Sequence, residues 1–137
     1  MFTLHDPLPI DEKAPVWASA AREFSELFGH SPFADLFLRD PATGRIAILV
    51  TEQVGLITLE PWSIEEFSSR FLNVPANQDN LFRRPDYDFL AARLGVPSAD
   101  ECFYAVPYAS IGGSGELETY QKGDLWAHLY LYGQTLL

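Results

Sequence analysis

His5, His30, His128 and Cys102 are the side chains best suited to hold a metal or attack a substrate. Their spacing matches no metal motif, since a zinc site pairs His or Cys a few residues apart. His30 precedes Ser31-Pro32 in a loop, and His128 lies among Trp126, Tyr130 and Tyr132, the setting of an ordinary core or surface histidine. Cys102 sits in the apolar run Cys102-Phe103-Tyr104-Ala105-Val106, as a buried small hydrophobe does. The carboxylate pairs Asp11-Glu12, Glu65-Glu66 and Asp100-Glu101 are adjacent in sequence. Neighbours on a helix do not share a face, so Glu65-Glu66 reads as dipole complement and cap rather than as an acid–base pair. Gly112-Gly113-Ser114-Gly115 has the glycines of a phosphate cradle but not the Lys and Ser/Thr of a P-loop, and Glu116 and Glu118 follow it. It reads as a structural turn. These residues assign no catalytic group, metal or cofactor, and the expectation is a protein that is not an enzyme.

Charge points to binding instead. The 137 residues carry 19 Asp and Glu against 9 Lys and Arg, a formal charge of −10. Nucleic acid and anionic membrane surfaces are poor partners for such a chain, whereas a basic protein is attracted and steered. From Gly95 to Leu137 the acids are Asp100, Glu101, Glu116, Glu118 and Asp124, and Lys122 is the only Lys or Arg. The same stretch carries Tyr104, Tyr108, Tyr120, Trp126, Tyr130 and Tyr132. Aromatics supply contact area and carboxylates supply steering. The expected partner-binding residues are therefore Glu116, Glu118, Tyr120, Asp124 and Trp126. A small-molecule-binding or regulatory module with an aromatic pocket near Trp126 and Tyr130 is the alternative.

The elements that must position these residues follow from composition and pattern. A chain of this length, 47% hydrophobic and 14% aromatic, fits one domain, 1–137, with a core built largely on Phe, Tyr and Trp. One cysteine allows no internal disulfide and fits a reducing, cytoplasmic setting. No stretch is apolar for long enough to span a membrane, and Met1–Ile10 has no signal-peptide pattern. Pro7, Pro9 and Pro15 make residues 1–13 an arm. Val16, Ala20, Phe24 and Leu27 form a stripe that predicts a helix over 14–28, stopped by Gly29. Strands are expected over 35–40, 45–51 and 56–59, the first two joined by the Asp40-Pro41-Ala42-Thr43-Gly44 turn. Ser63-Ile64-Glu65-Glu66 is a capping box opening a helix to about 73. Pro85 and Gly95 bracket another over 86–94. Residues 102–106 read as a strand and 117–120 as extended. Leu125, Ala127, Leu129 and Leu131 alternate as in a strand, while Leu125 with Leu129 and Trp126 with Tyr130 also fit a helix; the aromatics and Gly133 favour a strand over 124–132. The fold expected is α+β, a mainly antiparallel meander with about three helices in a single layer on the sheet.

Two stretches carry a family likeness: Phe33 to Gly44, with its Asp35-Leu36-Phe37 core, and Gly95 to Gly113, followed by Leu129-Tyr130-Leu131-Tyr132-Gly133-Gln134. Within the second, Asp100-Glu101, Val106-Pro107 and Gly112-Gly113 stand in the order the family shows. Over residues 30–137 the chain resembles the C-terminal domain of bacterial type VI secretion immunity proteins of the DNase-neutralising kind. The Asp-Pro-x-Thr-Gly hairpin and the Ser-x-Glu-Glu-Phe helix also resemble the wider immunity superfamily that includes yeast cell-wall regulators. The resemblance implies a protein that binds and neutralises a basic toxin without catalysis.

Overall fold

The computed structural model describes residues 1–137. Its centre is a five-stranded antiparallel sheet in sequence order: β1 (Thr3–Pro9), β2 (Glu26–His30), β3 (Leu36–Arg39), β4 (Ile46–Val50) and β5 (Gly55–Thr58). The expected meander is present, with Asp40 shaping the β3–β4 turn through bonds to the Ala42 amide and the Thr43 hydroxyl. A second, two-stranded sheet pairs β6 (Glu101–Ala105) with β7 (Tyr120–Asp124).

Residues 1–13 are not an arm. Prolines are tolerated on an edge strand, and β1 carries Pro7 and Pro9 on the edge of the sheet, beside a register shift between Leu4 and Leu8. Nor is 14–28 one helix. The chain makes the short α1 (Ile10–Lys13), a 3₁₀ turn and α2 (Ala18–Ala21), then turns at Arg22 with φ +56° and enters β2. Gly29 lies inside β2, where a Cβ would collide with the Thr3 carbonyl of β1, so it serves close strand approach rather than helix termination.

The sheet is covered on both faces, not by one layer. Leu27, Leu36, Leu38, Ala47 and Leu49 face a core completed by Trp17, Ala21, Phe24, Cys102, Leu125 and Leu129. Phe28, Phe37, Ile46 and Ile48 face the other way, against Phe67, Leu72 and Phe82. The second cover comprises α3 (Ile64–Phe67), a π turn over Ser68–Leu72 and α4 (Pro75–Asn80). The Ser63 capping box is formed: the Glu66 amide donates to Ser63 Oγ and the Ser63 amide to the Glu66 carboxylate. Beside it α5 (Arg84–Leu94) packs Leu90 with Phe33, Phe103 and Tyr120.

The six helices end with α6 (Leu125–Leu136), where a strand was expected. Asp124 caps it, its carboxylate accepting from the Ala127 amide at 2.7 Å. Leu125, His128, Leu129, Tyr132 and Gly133 are its buried residues, the i, i+3, i+4, i+7, i+8 stripe of a helix. Gly133 does not end it. A Cβ there would stand 2.5 Å from Val16 and 3.1 Å from Trp17 Nε1. Its absence lets α6 lie on Trp17, whose indole N–H donates to the Leu129 carbonyl at 2.8 Å.

Candidate functional site

Helical rather than extended spacing in α6 decides which aromatics meet. A strand would align Trp126, His128, Tyr130 and Tyr132 on one face; the helix turns His128 and Tyr132 inward and leaves Tyr130 exposed. Tyr104 of β6, His128 and Tyr132 form a stacked ladder, with ring centroids 5.1 and 5.3 Å apart. Tyr108, from the loop after β6, stands edge-on to His128 at 5.4 Å and to Tyr132 at 5.2 Å. Together with Glu52, Arg83, Ala109 and Gly115 these rings line a cavity of about 60 Å³. The glycine loop therefore forms part of its wall. Gly113 is required there, because a Cβ would overlap the Pro107 carbonyl.

Arg83 is the hub of this region. It adopts φ +56°, ψ +46°, a left-handed conformation costing a non-glycine residue about 1 kcal/mol or more. Four segments hold it there. Its Nε donates to Asp86 at 3.0 Å and its Nη2 to the Tyr120 hydroxyl at 3.1 Å. Its guanidinium lies 4.1 Å from the Phe33 ring centre, and Nη1 is 3.7 Å from the Glu52 carboxylate. Burial opposes the Arg83 charge, but its bonds to Tyr120 and Asp86 and the field of Glu52 raise its pKa above the usual value.

Burial sets the remaining protonation states. It lowers His128 to about 4, so the ring is neutral at physiological pH, and its Nδ1 is buried with no hydrogen-bond partner. It raises Asp35 to about 7, against the Ser31 hydroxyl and the Arg83 charge, which pull the other way. The Cys102 thiol is pushed up to about 12 and is inert as a nucleophile.

Outside the cavity the surface turns apolar. Val106, Pro107, Ile111, Gln121 and Leu131 line an open groove of about 460 Å³ that shares Tyr104, Ala105 and Tyr108 with the cavity. Ile111 and Leu131 are 60% and 53% exposed. Glu116 and Glu118 lie on the chain between this loop and β7, both exposed. Their backbone is fixed: Arg93 of α5 donates to the carbonyls of Leu117, Glu118 and Tyr120.

The five residues expected to bind a partner are spread along the β6–β7 hairpin and the start of α6. Tyr120 pairs with Ala105 at one end of the β6–β7 hairpin and Asp124 with Glu101 at the other. Four strand steps separate them, about 13 Å. Glu116 and Glu118 belong to the Tyr120 end. Tyr120 itself is only 8% exposed and packs on Phe33, so it offers little surface. Asp124 is engaged as the α6 cap. Trp126 is half-buried, its indole N–H donating to Asp100 at 3.1 Å, with Lys13 Nζ 5.2 Å from the ring centre and His30 edge-on.

No family model and no curated protein matches the chain. Its fold has a counterpart. The structure is similar to the crystal structure of Atu4351 from Agrobacterium tumefaciens, with a TM-score of 0.65 at 12% identity over 97% of this chain. This chain spans 66% of that protein. At that identity the likeness shows a shared α+β architecture.

Sequence reasoning missed Arg83 and Glu52. A signal for Arg83 was present: Pro85 marks a helix first turn, which puts Arg83 at the cap where Ser, Thr, Asp or Asn is usual. Glu52 carried none, since its role depends on the β4–β5 turn meeting α5.

Proposed function

We propose that this chain is an immunity or antitoxin-like protein that binds a basic toxin, a nuclease delivered by type VI secretion, and neutralises it in the cytoplasm by occupying its active face. One observation carries the reading: an exposed aliphatic and aromatic groove lies at the end of the β6–β7 hairpin where a fixed backbone leads from Glu116 and Glu118 into β7, in a chain of charge −10. That combination suits a protein interface, with apolar area at its centre and a charged rim. The carboxylates take the place of nucleic-acid phosphates on the toxin and steer its approach. The family likeness of residues 30–137 supplies the kind of toxin. The inert Cys102 thiol and the His128 nitrogen without an orienting partner favour a binder over an enzyme.

On this reading Glu116, Glu118, Val106, Ile111 and Leu131 form the face, and Asp124 and Trp126 lie beyond it. The chain is used to capture its partner from native cells, and the captured protein is assayed for DNA cleavage with and without the chain. The expected result is a basic DNase silenced at one chain per toxin. Glu116→Lys with Glu118→Lys is expected to slow association about tenfold at low salt and less at high salt. Ile111→Ala with Leu131→Ala is expected to speed dissociation by about tenfold or more. A captured partner whose cleavage continues at saturating chain overturns the reading.

A second reading, a small-ligand module, is favoured by the aromatic cavity. At about 60 Å³ that cavity is far below the roughly 300 Å³ or more of pockets for drug-sized ligands. It suits a group of a few atoms.

A further inference from the structure

The cavity at the glycine loop has features that an ordinary packing gap lacks. Its walls are the rings of Tyr104, Tyr108, His128 and Tyr132, with Arg83 and Glu52 beside them. The ring of His128 stands in this wall, and its Nδ1 is buried with no hydrogen-bond partner. Neutral imidazole presents a lone pair as an acceptor. Arg83 is the only Lys or Arg that lines the cavity, and Asp86 and Glu52 both face it; Arg93, behind Tyr120, is engaged by the carbonyls of Leu117, Glu118 and Tyr120. Asp86 holds Arg83 at 3.0 Å, whereas Glu52 stands 3.7 Å away with its side chain 64% exposed. Arg83 keeps its other partners if Glu52 turns away. The Glu52 carboxylate, the looser and more exposed of the two partners of Arg83, can thus be shared with a second cation at the mouth of an aromatic pocket.

We propose that this cavity is a socket for one basic side chain of the partner protein, its stem lying on Tyr104, Tyr108 and Tyr132 and its charge against Glu52. An anion is disfavoured by the surplus carboxylate and by the charge of the whole chain. A cation gains from the ring faces as well as from Glu52. The socket adjoins the groove, since Tyr104, Ala105 and Tyr108 line both. A residue inserted there would anchor a protein lying along the groove, as a buried hot spot does at an interface centre. The assignment of the inserted residue to a partner protein rests on the proposed toxin-binding function.

The test needs no toxin. Methylguanidinium is titrated into the full chain, and the ring resonances of Tyr108, His128 and Tyr132 are followed by NMR, with urea and acetate as uncharged and anionic comparisons. The expected result is saturable shifts at these rings with a dissociation constant in the roughly millimolar range, and none with urea or acetate. Glu52→Gln, on an exposed turn that should fold normally, is expected to weaken binding roughly tenfold. Absence of saturable shifts, equal shifts with urea, or an unchanged affinity in Glu52→Gln overturns the socket. Those outcomes leave the acidic face intact, because the Glu116 and Glu118 reversals are read by association rate and this titration is not. Once a toxin is in hand, Glu52→Gln is expected to raise its dissociation rate while the association rate at high salt stays near that of the parent chain.

Discussion

Two buried residues, Asp35 and His128, give the stability of this chain opposite dependences on pH. Burial raises Asp35 from 3.8 to about 7. Between those values the unfolded chain has released the proton that the folded chain keeps, so stability from Asp35 is full below pH 3.8 and is lost as pH rises through about 7. Burial lowers His128 from 6.5 to about 4. Between those values the unfolded chain binds a proton that the folded chain refuses, so stability from His128 is full above 6.5 and is lost as pH falls through about 4. The effects are on the order of 4 kcal/mol for Asp35 and 3 kcal/mol for His128, and over the shared interval from pH 4 to 6.5 they oppose each other. Denaturant unfolding of Asp35→Asn, which still accepts from Ser31, is expected to show stability rising with pH across that interval. His128→Phe is expected to show stability falling with pH from about 4 to 7. Parallel pH profiles in the two variants would count against these assignments.

Element by element, the caps and the close approaches decide what the apolar pattern alone leaves open. Asp124→Ala removes the α6 cap and is expected to cost about 1 kcal/mol, while Asp124→Asn keeps the cap and costs little. Because Asn also removes the charge, unchanged toxin association in Asp124→Asn would place Asp124 outside the face. Gly133→Ala drives a methyl into Val16 and Trp17 and is expected to cost roughly 1–3 kcal/mol in thermal or denaturant unfolding. The β3–β5 meander, the Ser63 helix start and α5 were legible because each has a local cause: a Pro-Gly turn, a capping box, a proline and a glycine at the ends. Of the three misread segments, 1–13 is an edge strand that tolerates its prolines, and the other two lack a local cause. In 14–28, Leu27 and Phe28 are both buried because β2 is covered on both faces, and consecutive apolar residues look helical as readily as extended. In 124–132, the β preference of aromatics and the reading of Gly133 as a helix breaker favoured a strand, whereas Gly133 is the close-contact position that lets the helix lie on Trp17. An aromatic pocket was expected near Trp126 and Tyr130, whereas the rings that line the cavity are those of Phe33, Phe103, Tyr104, Tyr108, Tyr120, His128 and Tyr132. Reading α6 as a strand puts the wrong rings together.

Across the whole molecule, Arg83 touches the β2–β3 loop at Phe33, the β4–β5 turn at Glu52, the start of α5 at Asp86, and β7 at Tyr120. No helix of the structure is long and apolar enough to cross a membrane. The strand pairs of the five-stranded sheet are each local in sequence, joining neighbours along the chain. The Arg83 contacts to residues 33, 52 and 120 are not. The contacts to Phe33 and Tyr120 close longer loops than any strand pair of the sheet, so the sheet is expected to assemble first, with Arg83 locking the hairpin onto it afterwards. The expected kinetic signature of Arg83→Met is therefore a faster unfolding limb with the refolding limb almost unmoved, a φ-value near zero. A variant that slows refolding in stopped-flow mixing would place Arg83 in the nucleus instead. The same late lock implies that the end of the molecule carrying the groove is held by barrier height as much as by free energy: it would stay assembled through brief excursions toward denaturing conditions, and lose that persistence when one guanidinium is removed.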